Sequence, residues 1–284
     1  MSASAGNKTS PSSTPQELVL DLLGLHVLGR AQPRQTAPPP VATQVFLAVL
    51  GAVGISDSAT RTTLNRMVAR GLLHRHRQGR TSAFQPTENA AAMLRRGRAR
   101  MFSPAPFDHP GDVWTILNCP IPETLRNVRY QIQARLSWAG FGTLQANLWV
   151  APGRIDAEEL LDDIFPTDAL GLVQAFHGTP TPPSSPEQLV HKAWDLEALR
   201  AAHHRFLARW ETADAKPADA LPQLLLLIDD WGRLLRTDPG LPTAYLDTDW
   251  AAERSTRTFQ RLEARLGPLA DERLQHLTHP RADD

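Results

Sequence analysis

The sequence predicts an α+β fold in three parts: a helix-rich N-terminal region closed by a basic hairpin, a middle region with the order βαββαβ, and a C-terminal region of helices. Three observations carry this. Apolar residues recur at helical spacing from Leu18 to Val68 and again beyond Pro186, whereas short strand-like runs alternate with helices between Val113 and His177. Proline-rich stretches at residues 31–40, 102–111 and 179–186 punctuate the chain. The charge is divided in the same way: the formal net charge is zero over 284 residues, yet residues 56–103 hold ten arginines and two acids, and residues 104–180 hold nine acids and four arginines.

Residues 1–15 are rich in Ser, Thr and Ala and lack an apolar run. They read as a disordered lead and not as a secretory signal. Order is expected near Gln16, where Leu18, Leu20, Leu22, Leu23, Leu25 and Leu28 make a helix buried on most sides. A second helix runs from Val41 to Leu50 and is broken by Gly51 and Gly54. Ser56 is a good N-cap for a third helix reaching Arg70, and Asp57 suits the positive end of its dipole. The inward stripe of that helix is Ala59, Leu64, Met67 and Val68, which leaves Ser58, Arg61, Thr62 and Asn65 side by side on the other face. After Gly71, the run Leu72 to Gln85 reads as strand, basic turn at Gly79-Arg80, strand; Thr87 then caps a basic helix through Arg100. Helix, tight turn, capped helix and basic hairpin together make a winged helix-turn-helix over residues 16–103.

In the middle region, residues 104–180, the expected order is a strand at Val113 to Cys119, a helix at Pro122 to Trp138, strands at Leu144 and at Leu148 to Ala151, a helix at Ala157 to Ile164, and a strand at Gly171 to His177. That order suggests a ferredoxin-like domain. Residues 181–284 read as a helical C-terminal domain, with helices at Pro186 to Glu211, Leu221 to Arg236 and Asp249 to Leu266 and a frayed tail from Leu277.

A local excess of eight positive charges in a neutral protein is what a reader of double-stranded operator DNA needs, because phosphate neutralisation supplies much of its affinity. Arg61 and Asn65 are the expected base readers, since Arg pairs with guanine and Asn with adenine. Ser58 and Thr62 can reach phosphates or bases, and Arg66 a phosphate. Ser56 at the helix start, and Arg75, Arg77, Arg80 and Thr81 on the wing, complete the candidate DNA-contacting set. A solvated charged face explains a charge run alone, and some winged helices bind protein. A protein-binding wing, however, has no need of a phosphate-tracking charge.

Enzyme and metal readings are weak. The single cysteine, Cys119, excludes an internal disulfide framework and an all-cysteine metal site, and reads as a small buried hydrophobe. His203 and His204 lie near Asp195 and Glu197, but adjacent helical residues point about 100° apart. They read as surface histidines, and Asp229-Asp230 as a helix face. There is no GxSxG motif, no P-loop and no run of apolar residues long enough for a membrane helix, so no enzyme activity, cofactor or membrane partner is expected and the cytoplasm is the expected compartment.

Taken together, the motifs resemble the phenylacetic-acid catabolism repressors, the PaaX family. In the first region the resemblance lies in Gly54-Ile55-Ser56, Arg61, Met67-Val68, Gly71-Leu72 and Gly79-Arg80. In the middle it lies in Leu136-Ser137-Trp138-Ala139-Gly140-Phe141-Gly142 and Leu148-Trp149-Val150-Ala151-Pro152. In the last region it lies in Ala193-Trp194-Asp195-Leu196, Asp238-Pro239-Gly240-Leu241-Pro242 and Asp249-Trp250. The resemblance implies a homodimeric repressor with a Cas2-like ferredoxin fold in its middle domain, released from its operator by an aryl-acyl coenzyme A thioester such as phenylacetyl-CoA. Residues 104–180 are the expected dimerisation domain. Candidate effector contacts are Arg126, Arg129, Trp138 and Trp149, cations and aromatic rings that suit an acyl-CoA; the alternative is that the tryptophans are core and the arginines surface pairs. A Cas2-like metal-dependent nuclease is disfavoured, because the end of the first middle strand carries Asn118 where a hard cation needs a carboxylate.

Overall fold

The computed structural model describes residues 13–28, 40–79, 81–108, 113–121, 129–161 and 171–278, except for the side chains of Val27, Leu28, Gln78 and Arg96. Residues 1–12, the connection at 29–39 and the first half of the helix expected at Pro122 to Trp138 lie outside the described residues. From the N-terminus the elements are α1 (Pro15–Leu28), β1 (Val41–Ala42), α2 (Thr43–Ala52), α3 (Asp57–Ala69), β2 (Leu73–Gln78), β3 (Thr81–Pro86) and α4 (Glu88–Met101). They continue with β4 (Trp114–Asn118), α5 (Arg129–Trp138), β5 (Gly142–Gln145), β6 (Leu148–Pro152), α6 (Ala157–Leu161) and β7 (Gln174–Gly178). The last helices are α7 (Pro186–Ala193), α8 (Leu196–Trp210), α9 (Ala220–Thr237) and α10 (Ala252–Thr278). The chain divides into two compact units: residues 1–103, 210–232 and 257–284 form one, and residues 104–209 and 233–256 the other. The C-terminal helices contribute residues to both units.

In the first unit α1 opens on a capping box: Thr14 Oγ1 accepts the Glu17 N–H at 3.3 Å, and the Glu17 carboxylate accepts the Thr14 N–H at 3.0 Å. Leu18, Val19, Leu22 and Leu23 are wholly buried, so α1 packs on more than one side. The three strands form an antiparallel sheet in the order β1-β3-β2. Strand β1 corrects the helical reading of residues 41–50: Val41 and Ala42 pair with Phe84 and Ala83, and α2 starts only at Thr43. Two residues are too few to show a period of two. α9 and α10 also contribute here, with Trp231 stacked on Phe259 at 4.7 Å between ring centroids and its indole N–H donating to the Met101 carbonyl at 2.9 Å.

Two expectations for the C-terminal helices are corrected. Asp229 is buried and accepts the Ser13 hydroxyl, and Asp230 accepts the Trp210 indole N–H at 2.9 Å, so this pair is structural and not a solvated helix face. α10 does not end at Leu266 but runs through Pro268 to Thr278. An interior proline costs about 3 kcal/mol. Buried Phe259, Leu262, Leu266, Ala270 and Leu274 continue one stripe across it; at about 1.5–3 kcal/mol for each large apolar side chain, the stripe outweighs the break.

The second unit contains the βαββαβ module. Its antiparallel sheet has the order β5-β6-β4-β7, with Trp114 opposite Pro152 on one side and Gly178 on the other. Central strand β4 is buried on both faces. Leu117 joins Ile132, Leu136, Phe141, Trp149 and Leu161 in the core with α5 and α6, while Trp114 joins Val150, Val190, Leu199 and Leu241 on the opposite side. The single helix expected from Pro186 to Glu211 is two helices. Trp194 is extended (φ −128°, ψ 147°), and Asp195 restarts the helix by accepting the Ala198 N–H at 3.0 Å.

Candidate nucleic-acid interface

α3 is built as its residues dictate. Ser56 is extended and its hydroxyl accepts the Ala59 N–H at 3.2 Å, with Asp57 in the first turn. Thr60, Leu64 and Met67 are its buried residues, so Thr60 takes the inward place expected of Ala59, which is only partly covered, as is Val68. Ser58, Arg61, Thr62, Asn65 and Arg66 are exposed, as is Ser56. The hairpin follows directly: Gln78 faces Thr81 across a two-residue loop, and Gly79 takes φ +58°, a conformation glycine adopts without a Cβ penalty. Arg77 and Thr81 are exposed near its tip, and Arg80 lies outside the described residues.

Arg75 sits differently from Arg77 on the same strand. It stands opposite Phe84, and its guanidinium lies over that ring at 5.5 Å from the centroid. The same guanidinium donates a hydrogen bond to Asn65 Oδ1 on α3. The strand period of two could have shown this, since Leu73, Arg75 and Arg77 share one face and Leu73 is buried. Elsewhere in the basic segment, Glu88 is paired with Arg95 and Arg70 donates to Gln16 Oε1 at 3.2 Å. The Arg95–Glu88 pair takes up one acid and one arginine, so the local excess stays at eight.

The described candidate effector residues stand in different settings. Arg126 lies outside the described residues. Arg129 and Arg135 reach main-chain carbonyls, those of Ile121 at 3.4 Å and Leu160 at 3.5 Å. Trp149 is 5 % exposed within the core, whereas Trp138 is half exposed. Asn118 donates to Gln174 Oε1 at 3.2 Å. Burial pushes the Cys119 thiol up to about 11. Among the described residues no group of three or more His, Cys, Asp or Glu is placed to hold a metal ion.

His203 corrects the surface reading made from sequence. It is fully buried, with one ring nitrogen 2.7 Å from Asp238 Oδ2, the other 2.9 Å from Ser255 Oγ, and the Phe107 and Trp250 rings beside it. No local pattern around His203 signals this, because its partners lie 35 and 52 residues away. His204, its neighbour, is exposed.

Three family models match consecutive stretches: a PaaX-like protein model over residues 31–90, the PaaX protein central Cas2-like domain over 108–190, and the PaaX-like protein C-terminal domain over 194–276. The chain belongs to the PaaX family. It is 25 % identical over 235 residues to the transcriptional repressor PaaX of Escherichia coli (strain K12), covering 78 % of this chain and 73 % of that one. Its fold is similar to that of the uncharacterized protein Rv0674 from Mycobacterium tuberculosis, at a TM-score of 0.58 and 21 % identity over 93 % of this chain and all of the other. The motifs that resemble the PaaX family outside the first region meet in three dimensions. A Cβ on Gly142 would fall 2.6 Å from the Trp194 ring and 2.7 Å from the Ala193 carbonyl, and one on Gly140, at φ +91°, would fall 2.9 Å from Pro239. Trp194 lies 6.2 Å from Trp114, and Asp238 Oδ1 accepts the Gly240 N–H at 2.7 Å while Oδ2 holds His203. The middle and C-terminal motifs of the family are thus one packing node in the second unit.

Proposed function

We propose that the chain is a DNA-binding transcriptional repressor that reads operator DNA through a winged helix-turn-helix made by residues 16–103. The observation that carries this is the exposed polar and basic face of α3, with Ser58, Arg61, Thr62, Asn65 and Arg66 on it, next to a basic hairpin in a segment with an excess of eight positive charges. The order α1, β1, α2, α3, β2, β3 is that of a helix-turn-helix followed by a wing, and α3 is the helix such a domain lays in the major groove. Arg61 and Asn65 read bases; Ser56, Ser58, Thr62 and Arg66 contact the flanking backbone; Arg77, Arg80 and Thr81 follow it with the wing. The name of the E. coli relative supplies repression as the sense of regulation.

Residues 104–180 serve as the dimerisation domain, and the effector is an aryl-acyl-CoA of the phenylacetyl-CoA type, as the family resemblance implies. The chain acts without catalysis in this reading: Asn118, an amide already bonded to Gln174, stands where a Cas2-like nuclease needs a carboxylate. No described helix is long and apolar enough to cross a membrane, which suits a repressor working in the cytoplasm. The test is a fluorescence-anisotropy titration of the full chain on a duplex from its own promoter region, repeated with phenylacetyl-CoA. Salt-sensitive binding released by the thioester supports both parts. Binding without release retains the repressor and removes this effector. Absence of binding at low salt by folded protein overturns the reading.

A further inference from the structure

The geometry points to Arg75 as a positioning residue that sets the orientation of the Asn65 amide at the DNA-reading face, and not as one of the wing's phosphate contacts; this rests on the DNA-binding reading above. The argument starts from an ambiguity intrinsic to asparagine. Its amide offers an acceptor on one side and two donors on the other, and a 180° turn about the last side-chain bond exchanges them. An exposed asparagine free to turn reads a base edge poorly, since either orientation is available to match donor or acceptor.

Arg75 removes that freedom. A guanidinium carries only donors, so the group it bonds must be Oδ1, and the Nδ2 donors then lie on the far side of the amide. The arginine is itself held. It projects from the face of β2 that also carries buried Leu73, with its guanidinium over the Phe84 ring, and Phe84 is buried with its ring edge-on to Phe46 at 6.1 Å. A continuous path of contacts thus runs from the core at Phe46 through Phe84 and Arg75 to Asn65. It ties the wing root to the recognition helix inside one compact unit. Arg77, two residues along the same strand face and nearer the tip, has no such partner among the contacts described.

The chemistry that follows is specific. An asparagine presenting its donors matches an acceptor on the base, purine N7 or thymine O4, and is mismatched to the N4 donor of cytosine. The test selects duplexes from a library with a randomised centre using the full chain, and sequences the bound pool for wild type, Asn65→Ala, Arg75→Ala, Arg75→Lys and the double variant. Asn65→Ala identifies the base position that Asn65 reads. At that position Arg75→Ala is expected to relax the bias against cytosine by about fivefold, the worth of roughly one net hydrogen bond. Preference at the positions set by Arg61 is expected to stay. The double variant should be no more relaxed than either single one, because coupled residues are not additive. Arg75→Lys, which keeps a donor, should restore most of the bias. A thermal melt of each variant separates these effects from loss of the hairpin.

A uniform loss of affinity on Arg75→Ala, with unchanged preferences and a shallower salt dependence, would assign Arg75 to a phosphate and overturn the proposal alone. A wild-type chain that enriches no sequence overturns the DNA-reading interpretation together with it.

Discussion

Arg61 and Arg77 carry the same charge but stand where the same charge does different things. Arg61 lies on the exposed face of α3 beside Ser58, Thr62 and Asn65, while Arg77 is near the tip of a hairpin whose partner strand offers Ser82. Arg61→Ala is expected to abolish preference for the operator over unrelated DNA. Arg77→Ala should weaken both alike and reduce the slope of log affinity against log salt by about one contact. Titrations at several salt concentrations on specific and scrambled duplexes decide it, and equal loss of specificity in both variants would remove the division of labour. Cys119 supports a prediction of another kind. Its thiol is raised to about 11 by burial, so the folded chain holds its proton more tightly than the unfolded one. The resulting stability is present below the unfolded value near 9 and is lost as pH rises through 11. Thermal unfolding should therefore fall more steeply from pH 9 to 11 in the wild type than in Cys119→Ala, and the thiol should resist a disulfide reagent at neutral pH until the protein unfolds. Parallel pH slopes for the two proteins would count against a buried, proton-holding thiol. Burial of this residue was readable from its type; that of His203 was not, since Asp238 and Ser255 reach it only through the fold.

Elements differ in how much of their definition is local. α3 and the hairpin were legible because each carries its own signals: a Ser56 cap, an acid in the first turn, a glycine at the loop and a second cap at Thr87, whose hydroxyl accepts the Ala90 N–H at 3.4 Å. The βαββαβ order was legible for the same reason. What escaped depends on distant partners. β1 exists because Phe84 and Ala83 are there to pair with it, α10 passes Pro268 because a buried stripe continues beyond it, and α7 stops where Trp194 turns toward Gly142 and Trp114. The exposure of the polar and basic face of α3 was legible residue by residue, but not the bond that joins Arg75 to Asn65 across two elements. The packing node at Gly142 yields a stability contrast. Gly142→Ala would press a methyl group into the Trp194 ring and the Ala193 carbonyl, and is expected to cost about 1–3 kcal/mol. Gly51→Ala, in α2 with nothing within 4 Å of the new atom, should stabilise by up to about 1 kcal/mol. Thermal denaturation of the two variants should move Tm in opposite directions; a neutral Gly142→Ala would mean the close approach of β5 to α7 is not maintained in solution.

At the scale of the whole molecule, the decisive property is that charge is segregated while the total is zero. The excess of eight positive charges in residues 56–103 is offset by a deficit of five in residues 104–180 and of three in the rest of the chain, but a bound duplex would meet only what is presented to it. On the DNA-binding reading, the phosphate-tracking charge of a neutral chain is confined to one region, and that region is the one turned to the duplex. A single recognition helix covers only a few base pairs, so selectivity is best doubled by pairing two chains on one operator. Two copies related by a two-fold axis read two half-sites on one face of the duplex, about 10–10.5 base pairs apart or a multiple of that. Inserting five base pairs between the half-sites turns one of them to the opposite face and should reduce affinity nearly to that for a single half-site. Inserting ten restores the phase and should recover much of the loss. Anisotropy titrations on the three duplexes, with the stoichiometry of each complex measured by sedimentation, test this directly. A 1:1 complex whose affinity is indifferent to spacing would show that the chain reads its operator as a monomer.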